Sequence, residues 1–339
     1  MLLVEREYWG HKMKDYSGIM VFAEQREGRV HPVSYELLGK GREIADRLGV
    51  NLSSVLLGDQ MSEEAKELIY YSADEVFLYD HPILKEFDLL NYKHNIVRLV
   101  REVKPEILLF GATRLGRSLG ARVAVALDTG LTADCIGLDV DEDGNLIQIR
   151  PAFTGNILAH IKTTTRPQLA TIRYKVMQKR EREPNRKGEV TKKDIEHVPS
   201  LLTVKRKEKL KGINIAEADV IISGGRGLKK TRDFGILTDL AELLGGVVGS
   251  SRPLVDDGWI GREHQVGFSG NTVKPKFYVA CGISGSPQHL TGMRGSHVII
   301  AINTDPSAPI FRVADYGIVG DLYDVVPKLT NEIRRRQAK

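Results

Sequence analysis

Short β-branched or apolar runs that each end in a glycine-, asparagine- or aspartate-bearing turn constrain this chain more than any other feature. Longer segments of helical period lie between the runs. A parallel strand needs a long crossover before the next, and a helix supplies it, so the alternation is the signature of parallel βα units. Strands are expected over residues 18–23, 52–57, 75–78 and 107–110, and helices over 33–48, 62–71, 91–103 and 117–128. Four such units predict a doubly wound α/β sheet, nucleotide-hydrolase-like in arrangement. The alternation restarts over 218–222 and continues through 276–281, 298–302 and 316–319.

The style changes after Gly130. A hairpin is expected over 132–140 and 146–150 around the acidic turn 141–144, and strands over 156–161 and 168–174 are expected to extend the edge of the sheet. Residues 179–197, KREREPNRKGEVTKKDIEH, are highly charged and lack hydrophobic period, which predicts a connection and not a core element. With 339 residues the chain has room for about two domains. The boundary is expected near residue 207, giving an N-terminal α/β domain over 1–207 and a second domain over 208–339.

Composition excludes several function classes. The net charge of +5 is modest, and the basic residues gather at 179–193 and 205–211 without interleaved aromatics, so no nucleic-acid partner is expected. Cys135 and Cys281 have neither a paired spacing nor nearby histidines at ligand intervals, so no metal is expected and both are read as buried apolar residues. No apolar run is long enough to cross a bilayer and the first 18 residues carry no apolar leader, from which a cytoplasmic location is expected.

In a parallel sheet, ligands sit beyond the carboxyl ends of the strands, where turns lead into helices. Ser223-Gly224-Gly225-Arg226-Gly227-Leu228 combines glycines that permit close backbone approach with a guanidinium for phosphate. Gly282-Ile283-Ser284-Gly285-Ser286-Pro287-Gln288-His289 suits either a pyrophosphate cradle or an ordinary capped helix with a histidine in its first turn. Asn303-Thr304-Asp305-Pro306 and Gly320-Asp321 offer short polar side chains for ribose and adenine, or simply turn chemistry. Gly249-Ser250-Ser251-Arg252 and Gln265-Val266-Gly267-Phe268-Ser269-Gly270 add a second arginine and further hydroxyls.

Taken in order and spacing, SGGRGL, GSSRPLVDDGW, HQVGFSGNTVKP, CGISGSPQHLTGM, AINTDPSAPIFRVADYGIVGDL and VVPKL resemble the C-terminal, FAD-binding domain of electron-transfer flavoprotein alpha subunits. VFAEQREG, SYELLGKGREIADRLG, LTADC and RPAFTGN extend the likeness more loosely into the first domain, in the style of anaerobic and archaeal members, some of which bifurcate electrons. The resemblance implies one FAD in this chain. It places Arg226 and Ser251 at the phosphate region, Arg252 against the isoalloxazine and Ser269 at flavin N5. Ser284, with Gly282 and Gly285, matches the pyrophosphate turn. Gln288 and His289 match the pyrimidine end of the ring, with Gln265, Gly267 and Gly270 in the turn beside it, and Asn303 and Asp321 match the adenosine end. Phe268 departs from the family, which often has Gln there, and is expected to pack beside the ring.

The resemblance further implies a beta subunit holding AMP or a second FAD. Acyl-CoA dehydrogenases and a quinone oxidoreductase are the implied redox partners, with membrane contact only through a partner. Fatty acid β-oxidation and NADH-linked oxidoreductase activity within a bifurcating complex are settings it leaves open. A middle domain of a thiamine-diphosphate enzyme would share the Asn-x-Asp-Pro strand exit, and an adenine-nucleotide sensor would suit the first half. The chain lacks the metal-binding GDG motif of the former, and the latter leaves the second half unexplained.

Overall fold

The computed structural model describes residues 15–152, 157–199 and 214–337. The chain forms two compact units, residues 1–205 and 206–339. The expected boundary near 207, the basic run at 205–211, the start of the strand expected from 156 and the end of RPAFTGN lie outside the described residues.

In chain order the first unit carries β1 (Ile19–Ala23), α1 (Pro32–Leu48), β2 (Leu52–Gly58), α2 (Ser62–Tyr70), β3 (Glu75–Asp80), α3 (Leu89–Val103), β4 (Ile107–Gly111), α4 (Arg114–Ala126), β5 (Leu131–Cys135), β6 (Gly137–Val140), β7 (Leu146–Ala152), β8 (Ile157–Ile161), β9 (Gln168–Ile172) and β10 (Glu189–Lys192). Its seven-stranded sheet runs β10-β3-β2-β1-β4-β9-β5 with every pair parallel. Strands covered on both faces read as near-continuous apolar runs, and every residue of β1, β2 and β4 is buried, with the Ser53 and Ser54 hydroxyls of β2 donating to Ile19 O and Val21 O. One face sets Val21, Leu56 and Leu109 against Leu37 and Ile44 of α1, and the other sets Phe22, Val55 and Phe110 against Ile96 of α3 and Leu119 of α4. α1 opens on Pro32 and stops at Gly49, whose left-handed φ of 65° ends the helix without a Cβ clash. Among the described residues no helix is long and apolar enough to cross a membrane.

Two sequence expectations are corrected. β9 does not extend the edge: it lies inside the sheet between β4 and β5, and all five of its residues, Gln168 included, are buried. β6, β7 and β8 instead form a separate antiparallel sheet. The charged segment is also more than a connection, because Glu189–Lys192 pairs with β3 as the edge strand. An edge strand needs no apolar period on its outer side. Its flanking cations find acids on the helices: Arg180 bonds Asp46 at 3.2 Å, Arg182 bonds Glu67 at 2.6 Å and Lys193 bonds Glu102 at 2.6 Å.

Asp74 joins this segment to the sheet. Its carboxylate accepts from Arg42 at 2.7 Å, from Arg186 at 2.7 Å and from the Leu52 amide at 2.9 Å. Burial raises the carboxyl, yet the Leu52 amide and the two guanidiniums hold it below the usual aspartate range.

The second unit carries β11 (Val220–Gly224), α5 (Phe234–Leu243), β12 (Val247–Ser250), α6 (Arg252–Asp256), β13 (Phe277–Cys281), α7 (Pro287–Met293), β14 (Val298–Asn303), β15 (Tyr316–Val319) and α8 (Leu322–Gln337). Its five strands run β12-β11-β13-β14-β15, all parallel. The strand order therefore reverses between β11 and β13, and a crevice opens at that point, beyond their carboxyl ends.

Asp74→Ala is expected to destabilise the first unit by about 1–3 kcal/mol, because it leaves the Leu52 amide without its acceptor and takes one partner from each of two arginines. The exposed Lys66–Glu63 pair at 2.7 Å serves as control, and Glu63→Ala is expected to cost no more than about 0.5 kcal/mol. Urea unfolding of both variants checks the contrast, and equal losses would refute it.

Candidate functional site

Two glycine turns interlock at the switch point. The Gly225 amide donates to Cys281 O at 3.0 Å, and the Gly227 amide donates to Gly282 O at 3.0 Å. Neither turn has room for a side chain: a Cβ on Gly225 would lie 2.4 Å from Gly282 O, and one on Gly282 would lie 2.7 Å from Gly227 Cα. Gly285 is equally constrained, with a left-handed φ of +87° and a would-be Cβ 2.4 Å from the Ile310 amide.

Above these turns lies a crevice of about 410 Å³, within the range of small-molecule sites. One wall is Arg226, Gly227 and Lys229; the facing wall is Gly282 through Ser286; Ser251, His289, Asn303 and Asp321 complete it. Among the described residues, the amides of Ser284, Gly285 and Ser286 donate to no acceptor in the chain. Three such amides in one crevice with Arg226 and Lys229 suit a pyrophosphate, which offers many acceptors and negative charge.

Of the residues singled out in the sequence, the fold brings Arg226, Ser251, Gly282, Ser284, Gly285, His289, Asn303 and Asp321 to one crevice. Asn303 and Asp321 also perform turn chemistry there. The Asn303 side chain donates through Nδ2 to Ile283 O at 2.9 Å and accepts at Oδ1 from the Asp305 amide at 3.0 Å, while Asp321 caps α8 through the Tyr323 amide at 2.9 Å.

Arg252, Gln265, Gly267, Phe268, Ser269, Gly270 and Gln288 do not line the crevice. Arg252 opens α6 directly after Ser251, and its side chain, 64% exposed, is paired with Asp256 at 3.1 Å. The turn from Gln265 to Gly270 is fastened to α7: the Phe268 amide donates to Gln288 O at 2.8 Å, and Gly292 approaches so closely that its Cβ would lie 2.4 Å from Gly267. Gln265 donates its side-chain amide to Ser269 Oγ at 3.0 Å, and Phe268 stands 61% exposed beside them.

Sequence reasoning missed Lys229. It lies two residues beyond the glycine turn that carries Arg226, and only the fold shows what holds it. Its amide donates to Tyr323 Oη at 2.7 Å, its ammonium lies 4.8 Å from that ring's centroid, and Tyr323 in turn donates to Asp233. The signal available was a lysine two residues beyond a phosphate-type glycine turn.

The protonation of His289 follows from its burial. The ring is buried, with Nε2 2.9 Å from Tyr278 Oη, and Nδ1 makes no well-formed hydrogen bond. Burial pushes its pKa down to about 4, and the Val266 backbone only partly opposes this. The histidine is therefore neutral near pH 7 and brings no positive charge to the crevice. Because the unfolded chain takes up this proton near its ordinary value of 6.5, stability falls as the pH drops from there towards about 4. The loss attributable to His289 is expected to reach on the order of 2 kcal/mol near pH 5. Urea unfolding followed on the second unit, wild type against His289→Asn, should show the variant losing less stability on acidification; parallel losses would refute the assignment.

With the geometry in place, comparison with known proteins is direct. The model of the electron transfer flavoprotein domain matches residues 19–198, and that of the electron transfer flavoprotein FAD-binding domain matches residues 214–294. The electron transfer flavoprotein subunit alpha of Thermoanaerobacterium thermosaccharolyticum is 49% identical over 328 residues, which cover 95% of this chain and 99% of that one. Lactate dehydrogenase (NAD(+),ferredoxin) subunit LctC of Acetobacterium woodii is 45% identical, over 94% of this chain and 77% of that one. Protein FixB of Rhizobium meliloti is 43% identical, over 96% and 95%. A thiamine diphosphate-dependent 4-hydroxybenzoylformate decarboxylase of Rhodococcus jostii covers 96% of this chain and 62% of its own, at 11% identity and a TM-score of 0.23, a likeness that carries no argument. The thiamine-diphosphate and nucleotide-sensor readings are not favoured, and the chain belongs to the electron transfer flavoprotein alpha subunit family, whose work is electron transfer through a flavin.

Proposed function

We propose that one FAD lies along the crevice of the second unit, with its pyrophosphate between Arg226 and the amides of Ser284, Gly285 and Ser286. The observation that carries this reading is that set of amides, without acceptors of their own, in the same crevice as two cations. Ser251 braces the phosphate region, and Asn303 and Asp321 border the adenosine. The isoalloxazine then extends past His289 to the mouth, where Arg252, Phe268, Ser269 and Gln288 stand. Ser269 suits flavin N5, because its oxygen already accepts from Gln265 and its own hydrogen remains to be donated. Gln265, Gly267 and Gly270 shape that turn, and Phe268 supplies an exposed apolar face for the ring.

The flavin supplies the electron chemistry; the protein supplies binding, orientation and electrostatics. Arg252 sets a guanidinium where reduction builds negative charge. At about 4 Å and an effective dielectric near 20 that attraction is about 4 kcal/mol before desolvation is deducted. The neutral His289 adds only a dipole.

The chain is read as working beside a beta subunit that holds AMP or a second FAD. It passes electrons between dehydrogenases, of acyl-CoA or similar type, and a quinone oxidoreductase or comparable acceptor, and meets the membrane only through such a partner. Fatty acid β-oxidation and a cytoplasmic location fit this reading. The name of the LctC relative, an NAD(+),ferredoxin lactate dehydrogenase subunit, supports an NADH-linked bifurcating complex as the alternative setting.

Co-purification with the partner, counting FAD and AMP per heterodimer, separates the settings: two FAD mark bifurcation, one FAD with AMP a simple carrier. Gly285→Val is expected to abolish FAD retention while the heterodimer still forms, since the added side chain would fill the turn; retained FAD would refute the pyrophosphate placement. Arg252→Ala is expected to keep its FAD and lower the first reduction potential by on the order of 60 mV, equivalent to about 1.4 kcal/mol for one electron. An unchanged potential in a redox titration would refute the placement of the ring.

A further inference from the structure

Two segments that border the crevice are joined by a residue to which the flavin reading gives no part. Arg226 and Lys229 follow the exit of β11, whereas Asp321 and Leu322 stand at the start of α8. Tyr323 spans from one to the other. Its amide donates to Asp321 Oδ1 at 2.9 Å, its hydroxyl oxygen accepts from the Lys229 amide at 2.7 Å, and its hydroxyl hydrogen goes to Asp233. Asp233 closes the short turn Thr231–Asp233, and the same carboxylate oxygen accepts from the Lys230 amide at 3.0 Å.

The phenol is therefore fixed at its root by Asp321 and at its tip by Lys229 and Asp233. One face of the fixed ring lies 4.8 Å from the Lys229 ammonium, the range in which an aromatic face attracts a cation. Tyr323 thus holds Lys229 twice, its backbone through the hydroxyl and its charge through the ring. The carboxylates of Asp233 and Asp321 are bound by Tyr323, and among the described residues neither forms an ion pair with the lysine. Ordering a free lysine side chain costs up to about 2 kcal/mol of rotamer entropy. A lysine already settled on a ring has lost part of that freedom before an anion arrives, so less is lost on binding.

We infer that Tyr323 is a positioning residue for the cofactor: it holds Lys229 ready as a second cation for the FAD diphosphate beside Arg226. Through its amide it fixes Asp321, at the adenosine border, to the same ring. The inference rests on the reading that the diphosphate lies in this crevice.

The test uses the FAD-loaded heterodimer and follows release of the flavin at low and high ionic strength. Lys229→Gln is expected to release FAD about tenfold faster than wild type at low salt, the size of one charge-assisted hydrogen bond. The difference should shrink at high salt, where screening weakens the wild-type contact as well. Lys229→Arg keeps the charge and is expected to stay closer to wild type than Lys229→Gln. Unchanged release from Lys229→Gln, or a loss that salt does not diminish, would overturn the role of the lysine. Tyr323→Phe keeps the ring and removes only the hydroxyl; it is expected to release FAD about three- to tenfold faster, with the difference again shrinking at high salt. In a Lys229→Gln background the same change should add little, because its effect runs through the lysine. An equal acceleration in both backgrounds marks general support of the turn and overturns positioning. Gly285→Val separates this inference from the reading beneath it. If that variant keeps its FAD, the crevice placement fails and the inference with it. If it loses FAD while Tyr323→Phe releases FAD at the wild-type rate, the inference alone fails.

Discussion

The site depends on the interlock of the Gly225–Gly227 turn with Cys281 and Gly282. Two strand exits cross at backbone distance, and each closes a hydrogen bond that the other needs. Any side chain at either glycine would push β11 and β13 apart at their carboxyl ends, and Arg226 would no longer face the amides of Ser284, Gly285 and Ser286. The charged wall, the amide wall and the crevice between them are thus consequences of one close approach, which the absence of Cβ atoms permits.

Charge is distributed along the crevice with equal economy. Arg226 and Lys229 gather positive charge at the β11 exit, where Tyr323 and Asp233 hold the lysine's turn in place. Asp321 stands at the opposite wall and spends part of its capacity capping α8. The floor is a histidine that burial keeps neutral. A neutral imidazole there adds no further charge to those of Arg226, Lys229 and Asp321 along the crevice.

The first unit shows the same logic in a structural setting. Its central strands are apolar on both faces, yet its edge is closed by a segment so charged that it reads as solvent-borne. Asp74 resolves the conflict by binding Arg42, Arg186 and the Leu52 amide at once. Individually, the exposed pairs around it contribute little. Together with backbone pairing to β3 they suffice to keep an edge strand in register.

Much of the fold was legible because it is local. Strand runs ending in turn residues, helices bounded by Pro32 or Gly49, and the glycine turns at Ser223 and Gly282 all follow from period and backbone freedom within a few residues. Strand order was not legible, as Gln168–Ile172 and Glu189–Lys192 show: the first carries a glutamine yet lies inside the sheet, and the second has no apolar period yet pairs. The role of Lys229 depends on Tyr323, 94 residues away. The neutrality of His289 depends on burial beneath Val266 and beside Tyr278, which no spacing announces. The sequence by itself determined most of the strand segments, which turns can approach a phosphate, and the family to which they point. The tertiary structure decided which strands are neighbours, which of the candidate side chains share one crevice, and which protonation state they hold there, because pairing and desolvation are set by groups far apart in the chain.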